Sequence, residues 1–338
     1  MSCRLLVTGG AGFIGVNFVR MLLREEPDVF IVNLDLLTYA GNLASLEGCL
    51  DDPRHKFVNG SIGDTELVEA LLKEDRIDGI INFAAESHVD RSINGPMIFA
   101  ETNILGTMNL LQAAKNMGVK RYLQVSTDEV YGSLGPEGSF SETSPICPNS
   151  PYSASKAGAD HMVRAFQHTY GIETIITRCS NNYGEYQFPE KMIPLCINNI
   201  RHDRPIPVYG DGRQVRDWLY VGDHCRAIWA AFRRGKPGEI YNIGGGTEMP
   251  NIELVKCILS LLGKPESLIS FVADRPGHDR RYAIDSSKAR RELDWKPLLA
   301  FKEGLARTVQ WYQDNQSWLD GVSSGAYRTY YDEMYGKR

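Results

Sequence analysis

The chain has 338 residues, of which 43% are hydrophobic and 23% are charged, and its formal net charge is −5. This composition is typical of a globular protein of about two domains, long enough to bury a large core without disulfide staples. The acidic balance gives no electrostatic reason to bind nucleic acid or an anionic membrane surface.

The first half of the chain alternates short apolar segments with amphipathic ones, which predicts βαβ units and a parallel sheet. The strand predictions cover residues 4–9, 29–35, 55–60, 77–85, 121–127 and 173–178. The helix predictions between them cover residues 13–25, 64–73, 101–117 and 153–170. Because the strands are almost continuously apolar, we expect helices to cover both faces of the sheet.

The alternation ends after residue 178. The segment 202–218, "HDRPIPVYGDGRQVRDW", predicts a hairpin and loop, and "EIYNIG" at 239–244 predicts one more strand of the main sheet. We therefore expect a dinucleotide-binding domain at 1–180 plus about 219–245. A smaller substrate domain is expected at about 181–218 plus 246–338.

Residues 8–15, "TGGAGFIG", place Gly9, Gly12 and Gly15 between a predicted strand and a predicted helix. Such a turn lets backbone amides approach a pyrophosphate at the helix N-terminus, although a close-packed turn without a ligand would use the same glycines. Asp35 ends the next strand, where a carboxylate accepts hydrogen bonds from the adenosine ribose and repels a 2′-phosphate. The two features together favour NAD over NADP.

Tyr152 and Lys156 stand four residues apart on a predicted helix, so their side chains share one face. An ammonium beside a phenol lowers the pKa of the phenol, which suits a base that accepts an alcohol proton near neutral pH. Alone, a Tyr–Lys pair at this spacing favours a purely structural interpretation. It gains weight from its position after a nucleotide-binding half and the strand that ends in Ser126 and Thr127.

Several long segments, in order along nearly the whole chain, resemble the extended short-chain dehydrogenase/reductases and, among them, the nucleotide-sugar 4,6-dehydratases. They read "TGGAGFIG", "LDLLTYAGN", "FAAESHVDRSI", "ETNILGT", "STDEVYG", "NSPYSASKAGAD", "TRCSNNYGEYQFPEKMIP", "VYGDGRQVRDWLYVGDHCRAI" and "DRPGHDRRYAID". The resemblance implies an α/β fold, a Rossmann-type doubly wound parallel sheet with a smaller mixed α/β C-terminal domain for the substrate. It also implies bound NAD, a nucleotide-sugar substrate (dTDP-glucose in the first place) and a homodimer.

Asp128 and Glu129 follow the "ST" pair directly. Adjacent side chains diverge, so they can reach different atoms of one sugar ring. The resemblance implies that Tyr152, Lys156 and Thr127 act at C4, while Asp128 is the general acid at O6 and Glu129 the general base at C5. For Asp128 to be an acid near pH 7, burial and its like-charged neighbour must raise its pKa. Without the flanking motifs, a solvated acidic turn would be the better interpretation.

The remaining site residues are implied by matching the family's motifs. For the cofactor they are Gly9, Gly12, Phe13, Ile14, Gly15, Asp35, Thr38, Ser61, Ile62, Ala84, Ala85, Ser87, Thr102, Tyr152, Lys156 and Asn182. For the nucleotide sugar they are Ser87, Thr127, Asn181, Lys191, Tyr209, Arg216, Asn251, Arg275 and His278. Ser61 stands where the family usually has an aspartate at the adenine amino group, so a weaker contact is expected there. No metal site is expected.

Three alternatives stay open from the sequence. The nucleotide can be uridine or cytidine instead of thymidine, and an epimerase is opposed only by the Asp128–Glu129 pair. A non-catalytic NAD sensor on the same fold could have lost the catalytic side chains, which are all present.

The seven scattered cysteines, none in a C-x-x-C pair, indicate a reducing compartment and hence a cytoplasmic protein.

Overall fold

The computed structural model describes residues 3–324, so the aromatic tail 326–338, whose role the sequence left open, lies outside the described residues. The strands are β1 (Cys3–Thr8), β2 (Val29–Asp35), β3 (His55–Asn59), β4 (Gly79–Asn82), β5 (Arg121–Thr127), β6 (Glu173–Cys179), β7 (Asn181–Tyr183), β8 (Ile206–Tyr209), β9 (Val215–Tyr220), β10 (Ile240–Ile243), β11 (Glu248–Pro250) and β12 (Ile269–Val272). The helices are α1 (Phe13–Glu25), α2 (Thr65–Glu74), α3 (Val89–Asn94), α4 (Pro96–Phe99), α5 (Thr107–Met117), α6 (Pro151–Tyr170), α7 (Met192–Arg201), α8 (Val221–Arg234), α9 (Asn251–Leu261), α10 (Ser287–Leu293), α11 (Phe301–Asp314) and α12 (Gln316–Val322). In this part of the chain, no helix combines the length and the apolar character needed to cross a bilayer.

Seven strands form one parallel sheet in the order β10-β6-β5-β4-β1-β2-β3. The order reverses at β1, so the first crossovers run to one side and the later ones to the other, as in a doubly wound Rossmann sheet. This confirms the fold class expected from the alternating pattern. It also confirms that the segment 239–244 returns to the main sheet, where β10 is the edge strand beside β6.

The central strands are apolar throughout because both of their faces are buried. Leu5 and Val7 belong to one core cluster, while Leu6, between them, belongs to the other. The same split separates Ile81 from Ile80 on β4. Successive side chains of a strand point to opposite faces, so each strand contributes to two cores. The sheet is therefore a rigid platform whose carboxyl edge can position a site.

The hairpin predicted for residues 202–218 is wrong. β8 pairs in parallel with β12, whereas β9 pairs with β11 and β7. Gly210 and Gly212 both have positive φ and make the turn that the sequence suggested. That turn carries the chain from one small sheet to another, and the partner strands come from distant segments. The division into the two predicted domains stays a prediction.

Two other elements differ from the predicted bounds. The strand predicted at 77–85 ends at Asn82, because the chain leaves the sheet there to line a cavity. The helix predicted from 101 begins as a π-helical segment, Ala100–Gly106, before α5. Asn103 in that segment accepts a hydrogen bond from Glu86 N and donates one to Glu86 O, at 2.9 and 3.0 Å. Such π-helical turns often occur at functional sites, and this one fixes the loop after β4.

Candidate active site

A cavity of about 520 Å³ opens at the carboxyl edge of the main sheet. Its floor is made by residues at or just after the ends of neighbouring strands. They are Gly9 after β1, Asp35 at the end of β2, Ala84 after β4, Thr127 at the end of β5 and Ser180 after β6. Ligands of open α/β sheets bind at this edge, where the strand order reverses. All sixteen residues predicted to hold the cofactor line this one cavity.

The glycine turn at the start of α1 fits a dinucleotide phosphate. Gly9 has φ +72°, and a Cβ placed on it would lie 2.6 Å from Ala84 N. A Cβ on Gly15 would lie 2.2 Å from the carbonyl oxygen of Gly9. Gly12 is the N-cap of α1 and supplies no capping side chain, so the first amides of α1 point toward the cavity without a side-chain cap. Unpaired amides at a helix N-terminus bind anions.

Asp35 connects the glycine turn to the loop after β2. Its Oδ2 accepts a hydrogen bond from Ala11 N at 2.9 Å, and its Oδ1 accepts one from Leu37 N at 2.8 Å. Burial raises the pKa of this carboxyl, while the two backbone donors act in the opposite direction. Each carboxylate oxygen keeps a second lone pair. Asp35 is therefore held in place and can still accept hydrogen bonds from ribose hydroxyls.

Ser61 stands where the family usually has an aspartate, and its side chain forms a hydrogen bond with the backbone. Its Oγ accepts a hydrogen bond from Gly63 N at 3.0 Å, which closes the turn after β3. Ile62 is buried beside it and also lines the cavity. The apolar wall expected next to the adenine is present, and the serine hydroxyl provides only a short polar group there.

Tyr152 and Lys156 lie in the first turns of α6, on the same face as expected. Ser150 and Ser153 cap this helix reciprocally, since each hydroxyl accepts a hydrogen bond from the other residue's amide, at 3.1 and 3.0 Å. Thr127 lies near enough to the Tyr152 phenol to lower its pKa against the effect of burial. The Lys156 ammonium donates a hydrogen bond to the carbonyl oxygen of Val125 at 2.7 Å. The end of β5 therefore fixes Lys156 and lies beside Tyr152.

The lowered pKa expected for Tyr152 is not found. Burial raises its pKa well above the ordinary range, and the negative charge of Glu129 adds to this rise. Burial also lowers the pKa of Lys156, although Asp160, one turn along α6, partly restores it. The expectation considered only the Tyr–Lys pair, whereas desolvation and a nearby carboxylate dominate in the buried site.

Asp128 and Glu129 begin a 3₁₀ turn, Asp128–Tyr131, directly after β5. Thr127 caps it, because its hydroxyl accepts a hydrogen bond from Glu129 N at 3.2 Å and donates one to Asp128 Oδ1 at 3.3 Å. Both carboxyls line the cavity. Asp128 is 1% exposed, and its Oδ2 is buried without a partner among the described residues. The pair is thus not a solvated acidic turn.

The surroundings give the two carboxyls different proton affinities. Burial raises the pKa of Asp128 well above its ordinary value, and Glu129 raises it further, as the sequence predicted. Burial also raises the pKa of Glu129, but Arg275, Arg216 and Lys191 oppose that rise. A carboxyl whose pKa is raised well above its ordinary value therefore stands beside one on which three cations oppose the rise. General acid and general base chemistry needs such a pair.

The residues predicted for the sugar nucleotide fall into two groups. Ser87, Thr127, Asn181 and Lys191 line the cavity, and the Lys191 ammonium donates to the Ser87 carbonyl oxygen at 2.8 Å. The other five residues do not line the cavity: Tyr209, Arg216, Asn251, Arg275 and His278. They belong to the C-terminal part of the described chain and to the small sheets.

Two of these five, Arg216 and Arg275, nevertheless act on the Glu129 carboxyl. Arg216 is 5% exposed and donates to the carbonyl oxygens of Val215 and Asp279, so it is not the surface ion pair that the sequence allowed. Asn251 begins α9, and its Oδ1 is buried without a partner within residues 3–324. His278 Nδ1 lies 2.6 Å from Asp274 Oδ1, yet burial and Arg275 lower the His278 pKa to about 4, so the ring is neutral near pH 7.

Sequence reasoning missed several residues of the site. Glu86, Cys179 and Glu190 line the cavity, and Asp90 lies behind its wall, paired with Arg275 at 3.1 Å. All four fall inside segments that had been singled out, but none has a spacing that points to chemistry. Asp90 stands between Val89 and Arg91, so its immediate neighbours gave no sign of a buried carboxylate.

Comparisons with known proteins agree with this geometry. Residues 6–308 match the model of the family described as GDP-mannose 4,6 dehydratase. A dTDP-glucose 4,6-dehydratase of Xanthomonas campestris is 56% identical over 96% of this chain and 97% of its own. The crystal structure of DesIV, a dTDP-glucose 4,6-dehydratase from Streptomyces venezuelae with NAD and TYD bound, has TM-score 0.92 and 53% identity and covers 94% of this chain and 99% of its own. A dTDP-glucose 4,6-dehydratase from Bacillus anthracis in complex with NAD has TM-score 0.90 and 48% identity, over 95% of this chain and 99% of its own.

Proposed function

The chain belongs to the GDP-mannose 4,6 dehydratase family, and from this membership we propose that it converts dTDP-glucose to dTDP-4-keto-6-deoxyglucose and water. The reaction oxidises C4, eliminates water across C5 and C6, and reduces C6. It is a lyase reaction, since the net change is the loss of water. The observation that carries the proposal is the carboxyl pair, buried Asp128 and half-buried Glu129, in the same cavity as Tyr152 and Lys156.

The cofactor is NAD. When bound, its nicotinamide supplies reversible hydride transfer, which the reaction needs once in each direction. The glycine turn and the first amides of α1 would hold the pyrophosphate, and Asp35 would hold the adenosine ribose. Ser87, Thr102 and Asn182 line the remaining wall near Tyr152 and Lys156.

At C4 of the sugar, we assign Thr127 and Tyr152 to the hydroxyl. Thr127 lies near enough to the Tyr152 phenol to lower its pKa, so O4 can lose its proton to Tyr152 while the Thr127 hydroxyl hydrogen-bonds O4. The Lys156 ammonium, fixed by Val125 O, stabilises negative charge on the phenol oxygen. Because burial raises the pKa of Tyr152, this positive charge is needed for proton acceptance near neutral pH.

At C5 and C6, we assign the elimination to the two carboxyls. A ketone at C4 makes the C5 proton acidic, and the C6 hydroxyl lies β to that ketone. Glu129, on which three cations oppose the effect of burial, removes the C5 proton. Burial and Glu129 raise the pKa of Asp128 well above its ordinary value, so its partnerless Oδ2 is suited to deliver a proton to O6 as water leaves. An epimerase needs no such pair, because it returns hydrogen to C4.

For the nucleotide, we assign the cationic wall made by Lys191, Arg216 and Arg275. Guanidinium groups bind phosphate oxygens in a bidentate manner, and Arg216 already lies buried against the Tyr282 ring at 4.4 Å. Tyr209 supplies a flat aromatic face beside Arg275, which suits a pyrimidine base. For the nucleotide, we also assign the neutral polar side chains of Asn251 and His278. Ser87 and Asn181, which line the cavity, would face the sugar.

We also propose that the protein works as a homodimer in the cytoplasm, where NAD and nucleotide sugars are available. Exposed apolar side chains support an interface along the helices that precede and form α5. Met97 is 69% exposed, Leu105 53% and Met108 39%. They follow one another at helical spacing and so occupy one side of this stretch.

The test of the function is to offer the purified protein dTDP-glucose, UDP-glucose and CDP-glucose separately and follow the sugar carbons by NMR. We expect a 4-keto-6-deoxy product from dTDP-glucose at the highest kcat/KM. A C4 epimer as product would contradict the proposal, and a preference for UDP- or CDP-glucose would correct the base while keeping the reaction. The double variant Asp128→Asn, Glu129→Gln is the matched control and should give no product.

A further inference from the structure

Three distant segments meet at the side chain of Asp90 in α3. Its Oδ1 accepts a hydrogen bond from Arg275 Nη1 at 3.1 Å, and its Oδ2 accepts one from the Tyr209 hydroxyl at 3.0 Å. The backbone of Asp90 is fixed as well, because its amide donates to the ring of His88, the N-cap of α3, at 3.2 Å. Asp90 is 4% exposed, so both contacts are shielded from water.

These contacts join the first half of the chain to the end of a small sheet. Tyr209 is the last residue of β8, and β12 pairs beside it with Val272 opposite Tyr209. Arg275 follows β12 by three residues. A single carboxylate thus holds the aromatic and the guanidinium that we assigned to the nucleotide.

The guanidinium of Arg275 acts on two carboxylates. Its ion pair is with Asp90, whereas it acts on Glu129 through space, as the first of the groups that oppose the rise in the Glu129 pKa. The Arg275 Nε is buried and has no hydrogen-bond partner among residues 3–324. Within the described chain, the position of Arg275 is fixed by its bond to Asp90, by the Asp274 contact at its amide and by the Tyr209 ring, 6.0 Å from the guanidinium carbon.

Several other charged or titratable groups surround the carboxylates of Glu129 and Asp90. Facing Glu129 are Arg216, Lys191, Asp279, Asp128, Tyr152, Tyr282 and Cys179. Facing Asp90, besides Arg275 and Tyr209, are His88 and Lys191. Burial raises the pKa of Asp90, but Arg275 and the hydrogen bonds outweigh it, and the net pKa lies below the ordinary value. Asp90 is therefore an anion at every pH where the site works.

We propose that Asp90 is a positioning residue, which tethers Arg275 and Tyr209 at the nucleotide end of the site and keeps Arg275 from a direct ion pair with Glu129. The inference rests on the proposed function, because it gives Glu129 the work of a base. A carboxylate in a direct ion pair with a guanidinium has a lower pKa and is a weaker base. Glu129 in such a pair would remove the C5 proton less effectively. Asp90 thus fixes the two side chains assigned to the nucleotide, and it sets the basicity of Glu129, which acts at C5.

The experiment compares Asp90→Asn with the parent enzyme, using dTDP-glucose and a pH series of kcat/KM, which reports ionisations of the free enzyme. The variant keeps the shape of the side chain but loses its charge, so Arg275 is drawn to Glu129. We expect the KM to rise about tenfold, the effect of losing one charge-assisted hydrogen bond. We also expect the acidic limb of the profile to move to lower pH, because the released guanidinium favours ionised Glu129.

Two matched variants separate this role from a general structural one. Asp75→Asn removes a carboxylate at the C-cap of α2 that pairs with Lys56 at 2.7 Å, and it should leave both KM and the acidic limb unchanged. Asp90→Asn in an Arg275→Met background should no longer move the limb, since the tethered group is absent. An unchanged limb in the single variant, or a shift to higher pH, overturns the inference. Absence of dehydratase activity in the parent enzyme instead overturns the proposed function.

Discussion

Asp128 and Glu129 are chain neighbours with similar side chains, and their environments separate them. Thr127 contacts both through one hydroxyl, so the turn has little freedom. The cations lie on the side of Glu129, with Arg275 as the largest opposing influence on its pKa, while Asp128 is affected chiefly by burial and by Glu129 itself. Both residues carry a carboxyl group, so the residue type does not show which of them is the general acid. Their positions relative to Arg216 and Arg275 decide that assignment.

The two roles can be separated by deuterium exchange at C5 of dTDP-glucose recovered from heavy water. Asp128→Asn should lower product formation by about 10²–10⁴-fold, as for removal of a general acid. It should still place deuterium at C5 of the recovered substrate, because Glu129 and reversible oxidation at C4 remain. Glu129→Gln should lose both product and exchange, and Tyr152→Phe should do the same because no ketone forms.

The control for this experiment is Asp320→Asn, an exposed carboxylate paired with Arg201, which should behave as the parent. Equal exchange in Asp128→Asn and Glu129→Gln would mean that the assignment of acid and base is wrong. Normal turnover in both would mean that the carboxyls are not catalytic.

Asp128 also predicts a pH dependence of stability. Its pKa is raised in the folded state, whereas in the unfolded chain it is near 3.9. Above that value the folded state holds a proton that the unfolded state has lost, so the free energy of unfolding falls as pH rises. Asp128→Asn removes this cost. We expect the variant to be more stable than the parent at about pH 7, and the difference to shrink toward about pH 4.

The measurement is a series of urea unfolding curves for parent and variant at fixed NAD concentration. Asp320→Asn again serves as control, because the pKa of Asp320 is lowered by its hydrogen bond with Arg201. That control variant should be less stable than the parent at neutral pH, whereas Asp128→Asn should be more stable. A pH-independent difference for Asp128→Asn would show that the carboxyl is ionised in the folded protein.

Among the elements, α6 carries the largest share of the chemistry in its first two turns. Its N-terminus is built by the reciprocal caps of Ser150 and Ser153 and by Pro151 at its first position. Its last turn ends at Gly171, which has φ +74° and closes the helix in the left-handed conformation. The caps are buried, so the start of the helix, and Tyr152 with it, cannot fray.

We therefore expect Ser150→Ala to affect both stability and rate. Loss of an N-cap costs about 1 kcal/mol, and here the residue two positions on is Tyr152, so kcat should fall as well. Asp64→Ala is the matched control, since Asp64 caps α2 through Leu67 N at 3.0 Å on an exposed surface. It should lose a similar amount of stability by thermal unfolding but keep kcat. Equal kcat values for the two variants would contradict the coupling between cap and phenol.

The same elements show what the sequence could and could not reveal. The strands of the main sheet were predictable because two buried faces require continuous apolar runs. The residues expected at the cofactor came from the glycine turn, from Asp35 and from the resemblance to the family's motifs. The pairing of β8 with β12 was not predictable, because nothing local near Tyr209 specifies a partner that far along the chain. The raised pKa of Tyr152 was missed because it depends on burial by distant segments. Asp90 was missed for the same reason, since both of its partners come from the other half of the chain.

At the scale of the whole molecule, the wall of the cavity and the exposed apolar patch belong to the same segment. Thr102 in the π-helical turn lines the cavity, and Leu105, three residues on, is exposed. Met97 and Met108 extend the patch on either side. Contiguous exposed apolar side chains of this kind mark interaction surfaces. Association through the patch would brace the cavity wall from outside.

The last prediction tests this connection with the double variant Leu105→Glu, Met108→Glu. Two carboxylates facing their copies across a two-fold interface would repel and lose their water, so the variant should sediment as a monomer while the parent sediments as a dimer. The variant should also bind NAD more weakly, because the turn that carries Thr102 loses its support. Leu298→Glu is the control, since Leu298 is 66% exposed in the segment between α10 and α11. It should remain dimeric and bind NAD as the parent does. A parent that sediments as a monomer at all concentrations would refute the dimer, and a monomeric variant with unchanged NAD affinity would show that the interface does not support the site.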